Sequence, residues 1–367
     1  MKIIAFMNSY SQGKSGGDVF FIEVAKRLKD YRKVIVTSFL GKELCQKFGL
    51  VGEFLVTTRE AEFRNIIRTY LKRTVQALFL KIDTEEGDIL LGTSDFLPDT
   101  LPIFWLKLKK RKLKWVQHIF HLIPSKRRIP FLAQRMSFLL IKPLADVVIV
   151  DNSLLKDELI GLGFAGTKIF INYPGVDLDY LSSIEGGMSS YDGIFMAQLR
   201  PSKGIFDLVK IWKLVCEKRA GARLGIIGKG VAEVERELKT LVKTEGLEKN
   251  IHLLGYLEEE KAFAVIKSSR VFVFPSSEEG FGIAPLEAQA LGLPVVAWNL
   301  PVFEEVFPQG MVKVEMGSIE EFAAAVLGLF TDSLLHQRLS DEALTNAARF
   351  NWDSTFAREL ELMTEVS

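Results

Sequence analysis

Phe274-Pro275-Ser276-Ser277-Glu278-Glu279-Gly280-Phe281-Gly282-Ile283-Ala284-Pro285-Leu286-Glu287-Ala288 is the segment that says most about fold and chemistry. An apolar run ends at Pro275, a loop with two glycines follows, and a helix is predicted to start near Ile283. Pro285 falls in the first turn of that helix, where its missing N–H costs nothing. Gly280 and Gly282 let the backbone approach a ligand, and amides at a helix start carry partial positive charge. Such a turn suits a diphosphate. Glu287, about one turn into the helix, can accept hydrogen bonds from sugar hydroxyls, and Glu279 in the loop can reach a second sugar. Taken alone, the same stretch also fits an ordinary strand–loop–helix with solvated acids.

The sequence on both sides repeats this alternation of short apolar runs and helical periodicity, the pattern of parallel sheets covered by helices. Strands are predicted at Lys2–Met7, Val34–Ser38, Asp88–Gly92, Trp115–His118, Val147–Asp151 and Lys168–Asn172, with helices at Asp18–Lys29, Glu60–Leu80, Pro130–Ile141 and Leu154–Leu162. After a turn-rich hinge at Asn172–Asp177 the pattern restarts. Strands are read at Gly193–Ala197, Arg223–Ile227, Ile251–Leu254, Val271–Phe274 and Pro294–Ala297. Helices are read at Ile205–Glu217, Val231–Glu245, Glu258–Lys267, Ala284–Leu291, Glu320–Leu329, Glu342–Phe350 and Ser354–Met363. The fold class is therefore α/β, two Rossmann-like doubly wound domains expected to face each other across a cleft, where such sheets bind ligands.

With 367 residues, two domains are also what length predicts. The net charge of +1 hides an asymmetry: residues 1–172 hold 28 Lys and Arg against 17 Asp and Glu, while the remainder holds 19 against 29. Two distant cysteines, Cys45 and Cys216, exclude a disulfide framework and a thiolate metal cluster. Cys45 lacks the cationic neighbours of a nucleophile. The N-terminal apolar run turns polar at Asn8, too early for a signal-peptide core, and no run reaches the roughly 18 residues that span a bilayer. A cytoplasmic protein is expected. Gly228-Lys229-Gly230 has only part of a dinucleotide fingerprint, because Glu233 stands at the third glycine position. The basic tracts lack the interleaved stacking aromatics of a nucleic-acid surface. Lys107 to Lys114 follows Phe104-Trp105-Leu106, and Lys126-Arg127-Arg128 precedes Ile129-Pro130-Phe131, a pairing of charge and apolar surface suited to an anionic membrane. A solvated helix end with Phe104 and Trp105 in the core is the competing reading.

Pro275 to Ala288, continued by Leu291–Ala297 and Pro301–Val306, resembles the signature of the retaining GT-B glycosyltransferases of family 4. Further landmarks occur in order along the chain. Gly16-Gly17 resembles the N-domain glycine loop, Asn172–Asp177 the interdomain hinge, and Gly255-Tyr256-Leu257 the loop that seats the nucleobase. Arg349–Asp353 resembles the start of a last helix that crosses back onto the N-terminal domain. The resemblance implies an acceptor-binding domain over residues 1–172, a nucleotide-sugar domain over 173–350 and a crossing helix over 351–367. It implies a nucleotide-diphosphate-sugar as co-substrate, with no metal or other cofactor, and a glycan or lipid-linked acceptor in cell-surface polysaccharide or glycolipid synthesis. By the same resemblance Glu287 holds the ribose, Glu279 the transferred sugar, and the amides of Gly280, Phe281, Gly282 and Ile283 the diphosphate. Gly16 and Gly17 meet the donor phosphate, and Tyr256 and Leu257 the base.

Lys203 matches the family's lysine after the first strand of the second domain, an apt point charge for a leaving diphosphate. The family's arginine, five residues earlier, is Gln198 here, and an arginine stands two residues on, at Arg200. Either Arg200 reaches back, or it is a surface residue and Gln198 offers a neutral contact. His118 and His121 compete for the family's sugar-proximal histidine: His118 fits the strand end, His121 the spacing to Pro124. The alternatives are a sugar-nucleotide-binding GT-B protein without transferase activity, or a GT-B epimerase or hydrolase.

Overall fold

The computed structural model describes residues 1–9, 15–58, 65–187 and 191–365, which divide into two compact units. Unit 1 comprises Met1–Gly175 with Trp352–Ser367, and unit 2 comprises Val176–Asn351. The loop residues 10–14 and the first residues, 60–64, of the predicted Glu60–Leu80 helix lie outside the described residues.

Unit 1 alternates strands and helices from its start: β1 (Lys2–Met7), α1 (Gly16–Arg27), β2 (Arg32–Thr37), α2 (Phe39–Lys47), β3 (Glu53–Val56) and α3 (Ile66–Phe79). It continues with β4 (Ile89–Gly92), α4 (Leu97–Lys109), β5 (Lys114–His118), α5 (Arg128–Leu144), β6 (Val147–Val150), α6 (Ser153–Gly161) and β7 (Ile169–Ile171). The strands form a seven-stranded parallel sheet in the order β3-β2-β1-β4-β5-β6-β7. The buried sequence KIIAFM of β1 shows why its pattern is a continuous apolar run: both faces are covered. Ile3, Ala5 and Met7 join one core cluster, which includes Phe20 and Phe21 of α1, while Ile4 and Phe6 join the other, beneath α4 and α5.

Unit 2 restarts with α7 (Leu178–Ser183), β8 (Gly193–Met196), α8 (Ile205–Lys218), β9 (Leu224–Ile227), α9 (Ala232–Thr244), β10 (Ile251–Gly255) and α10 (Glu259–Lys267). It continues through β11 (Val271–Phe274), α11 (Ile283–Ala290), β12 (Val295–Trp298), α12 (Pro301–Val306), β13 (Met311–Val314), α13 (Ile319–Thr331) and α14 (Ser333–Ala347). Its six-stranded parallel sheet runs β10-β9-β8-β11-β12-β13. The last helix, α15 (Trp352–Thr364), belongs to unit 1, where Trp352, Leu362 and Met363 enter the core cluster that holds α1.

Three departures from the sequence reading have local causes. Helix α4 carries Pro98 near its start and Pro102 inside. Pro102 cannot donate to the Pro98 carbonyl, and the side-chain amide of Asn8 donates to that carbonyl instead, at 3.4 Å. Helix α14 starts nine residues before the predicted Glu342, because the Asp332 side chain caps it by accepting from the Leu335 amide at 2.9 Å. Edge strands β3, with exposed Glu53 before three half-buried residues, and β13, with half-buried Val312 and Lys313 between buried Met311 and Val314, lack the fully buried runs of central strands.

Candidate functional site

In each sheet the chain order reverses beside the first strand, between β1 and β4 in unit 1 and between β8 and β11 in unit 2. Loops leaving the strand C-termini at such a reversal diverge, which opens a crevice for ligands. In unit 2 those loops are Ala197–Gly204 and Pro275–Gly282. They are sewn together: Ser277 N–H donates to the Ser202 carbonyl at 2.9 Å, and the Ser276 and Ser277 hydroxyls donate to the same oxygen at 3.2 Å. Gly204 has φ +72°, and a Cβ there would lie 1.7 Å from the Pro275 carbonyl oxygen, so only glycine permits this approach.

The joined loops bring Lys203 to Glu279. The Lys203 ammonium donates to Glu279 Oε1 at 2.6 Å, with the two side chains only 15% and 10% exposed. At that burial, each charge leans on the other for the solvation it has lost. The ammonium also lies 6.0 Å from the Phe274 ring centroid. Helix α11 begins at Gly282, which has φ +103° and supplies no side-chain cap. Glu287 is half-buried one turn further on, within a segment containing Gly280, Phe281 and Ile283. Gln198 and Arg200 are both exposed.

Tyr256 and Leu257 follow β10 on the same edge of the sheet. Gly228 to Gly230, the partial dinucleotide fingerprint, joins them there. Gly228 N–H donates to the Gly255 carbonyl at 2.8 Å, and the Lys229 carbonyl accepts from Leu199 N–H at 2.9 Å. A Cβ at Gly228 or Gly230 would lie 1.9 Å from the Ala197 carbonyl oxygen or 2.3 Å from that of Leu199. These glycines therefore serve loop packing. The signal that could have found them is their position after a strand next to β8.

In unit 1, His118 ends β5 but is completely buried. Its Nε2 lies 2.7 Å from Glu359 Oε1 of α15, and Glu359 Oε2 accepts from the Asn172 amide at 2.8 Å. Phe20 and Phe120 pack on the imidazole, with centroids at 5.1 and 5.5 Å, and Nδ1 has no hydrogen-bond partner. Gly17 joins the cluster, since a Cβ there would come within 2.9 Å of the Phe120 ring; Gly16 beside it is exposed. His118 thus anchors α15 in this structure, whereas His121 is exposed. Gln134 of α5 holds the His121 segment by donating to the His121 carbonyl at 2.9 Å and to Asp95 Oδ2 at 2.6 Å. Burial raises the Asp95 carboxyl above the usual range, opposed by the charge of His121 and the Gln134 hydrogen bond.

A second buried network lies at the β1–β4 reversal. Asp99 of α4 accepts from the amides of Asn8 and Ser9 and from the hydroxyls of Ser9 and Ser94, at 2.5–3.1 Å. Burial nevertheless pushes its carboxyl up to about 7. Neither Asp99 nor Glu359 was singled out in the sequence, because each acts only through residues far away in the chain. Burial also pushes the Cys45 thiol up to about 12, away from nucleophilic use. Among the described residues, no group of three or more His, Cys, Asp or Glu side chains could hold a metal ion.

Residues 189–346 match the family described as Glycosyl transferases group 1. The fold is GT-B. It is shared with Anabaena HepE, whose crystal structure holds UDP and glucose, at a TM-score of 0.81 and 17% identity over 100% of both chains. Sucrose-phosphate synthase from Thermosynechococcus elongatus superposes at a TM-score of 0.77 and 16% identity, over 99% of this chain and 98% of that one. Among curated sequences, poly(glycerol-phosphate) alpha-glucosyltransferase of Bacillus subtilis is 28% identical over 188 residues, 48% of this chain and 26% of that protein. O-antigen chain mannosyltransferase B of Escherichia coli is 27% identical over 162 residues, 44% of this chain and 42% of that one. The chain thus spans less than half the length of these two relatives.

Proposed function

We propose that the protein is a retaining glycosyltransferase of family 4, moving a sugar from a nucleotide-diphosphate-sugar to an acceptor hydroxyl during cell-surface polysaccharide or glycolipid synthesis. The observation that carries this reading is the Lys203–Glu279 pair, set between loops from the two strands at the unit 2 reversal. Similarity to sugar transferases that build surface polymers supports it.

In this reading the donor binds unit 2 and the glycan or lipid-linked acceptor binds unit 1. A diphosphate on the α11 start draws the Lys203 ammonium from Glu279, since a doubly charged anion attracts it more strongly than one carboxylate. Glu279 is thereby released to accept hydrogen bonds from the transferred sugar, and Glu287 holds the ribose. As the glycosidic bond breaks, Lys203 and the amides of Gly280 to Ile283 stabilise charge growing on the leaving diphosphate, with Arg200 as the second cation. The acceptor hydroxyl attacks on the face the diphosphate leaves, its proton passing to a donor-phosphate oxygen, so the anomeric configuration is retained. The exposed His121 orients the sugar, while His118 positions α15 and the Phe120 segment. These cations and amides do the work without a metal cofactor, and the protein acts in the cytoplasm.

The test is incubation of the full chain with nucleotide-sugars and a panel of glycan and lipid-linked acceptors, reading the new linkage by NMR. A product with the donor's anomeric configuration, formed equally with and without a metal chelator, is expected. An inverted linkage overturns the retaining mechanism, and donor binding without transfer to any acceptor favours a binding protein.

A further inference from the structure

Residues 100–145 contain 11 Lys and Arg and no Asp or Glu. They run from α4 through β5 to α5, and α4 packs between α3 and α5 on one side of the unit 1 sheet. In α3, α4 and α5 together the single acid is Asp99, which is fully buried.

The outer faces of these helices are apolar. Ile129, Leu132, Met136 and Leu139 recur at intervals of three and four along α5, a single stripe about 15 Å long at 1.5 Å per residue. Each is more than half exposed, Leu139 at 70%. Leu71, Val75 and Phe79 form a second stripe on α3, with Phe79 83% exposed. Trp105 and Leu108 are exposed on α4 between them, Trp105 under the Lys109 ammonium at 4.6 Å from its centroid. Phe104 turns inward against the core. Isolated exposed apolar residues are ordinary, but two stripes with Trp105 and Leu108 between them on three neighbouring helices are not.

The basic tract itself divides. Lys107 is buried, bonded to Asp146 at 2.6 Å, and Lys112 pairs with Glu86 at 2.7 Å. Arg68 and Lys72 of α3, Lys109 and Arg111 at the end of α4, and Lys126 to Arg128 at the start of α5 remain exposed around the apolar stripes. Aliphatic side chains ringed by cations complement a surface whose charged heads are anionic and whose interior accepts hydrocarbon. A nucleic acid would meet the cations but leave Leu132 and Leu139 without an apolar partner.

We propose that the α3–α4–α5 face of unit 1 docks on an anionic lipid bilayer, with Ile129, Leu132, Leu139 and Phe79 entering the interface and the surrounding cations facing headgroups. This site is independent of the donor site in unit 2. The full chain should co-sediment with phosphatidylcholine vesicles containing phosphatidylglycerol and not with phosphatidylcholine alone. Binding should weaken as salt rises from about 0.1 to 0.5 M. Combined Leu132→Ser and Leu139→Ser should reduce it about tenfold or more. Each of Lys109→Ser, Arg111→Ser and Arg128→Ser should reduce it about fivefold. All these positions are exposed, so unchanged thermal unfolding and unchanged nucleoside-diphosphate binding verify the variants and keep this test separate from the transferase reading. Equal binding to both vesicle types, binding to neither, or a dimer in light scattering that Leu132→Ser abolishes would overturn the proposal.

Discussion

The strand ends of the two units use charge in opposite ways. In unit 2 the Lys203–Glu279 pair keeps some exposure to solvent and sits between two loops at a sheet reversal. In unit 1 the corresponding polar groups, Asp99 and the hydrogen-bonded His118–Glu359 pair, are completely buried and hold backbone and helices in place. The same fold therefore leaves a charged pair within reach of solvent in one unit and seals its polar groups inside the other. Unit 1 presents its accessible cations on an outer helical face instead.

The comparison predicts which variants damage structure and which damage chemistry. The largest effect should come from Glu359→Ala, which leaves the His118 ring nitrogen and the Asn172 amide buried without their carboxylate. A loss of about 3–5 kcal/mol is expected in denaturant unfolding, with nucleoside-diphosphate binding to unit 2 retained at low denaturant. A loss below about 1 kcal/mol would mean that α15 is held by apolar packing alone. Lys203→Met should do the reverse, lowering kcat by about two to three orders of magnitude with little change in the unfolding of unit 1. Glu279→Gln should reduce kcat more than donor affinity.

Asp99 makes the buried network of unit 1 sensitive to pH. Its folded pKa, about 7, lies above the ordinary 3.8, so the native protein binds the extra proton between those values. Stability from this group is present at low pH and is lost as pH rises towards 7, by at most about 1.4 kcal/mol per unit. Asp99→Asn should flatten that slope in urea titrations between pH 4 and 7; an unchanged slope would assign it to other groups. The smallest effect concerns the exposed pair in unit 2. Arg200→Ala should lower kcat by about tenfold and Gln198→Ala by less, and the opposite ranking would give the cationic slot to neither.

The same contrast explains what could be read from the chain. Buried parallel strands such as Ile3–Phe6 and Val271–Phe274 announce themselves as apolar runs, so both sheets were legible. The candidate stretch from Glu279 to Glu287 could be picked out because it follows a single strand through one loop into one helix, whereas the pairing of Lys203 with Glu279 appears only after folding. Nor were the unit 1 networks legible. Asn8, Ser94 and Asp99, or His118, Asn172 and Glu359, meet only after folding, and no local spacing marks them. His118 stood out for its strand-end position, yet sequence could not show that Glu359 would cover it. Helix α4 was hidden by Pro102, whose missing bond is compensated by a side chain 94 residues upstream.

Whether the Lys203–Glu279 crevice receives a nucleotide diphosphate is the claim on which the functional account depends. Thermal unfolding of the full chain with uridine, guanosine and adenosine diphosphates tests it most directly. One of them, at about 100 times its Kd, should stabilise the wild-type protein by about 2.7 kcal/mol. The shift should collapse in Lys203→Met and persist in Leu132→Ser. No stabilisation by any of the three, or an equal shift in Lys203→Met, would contradict the account.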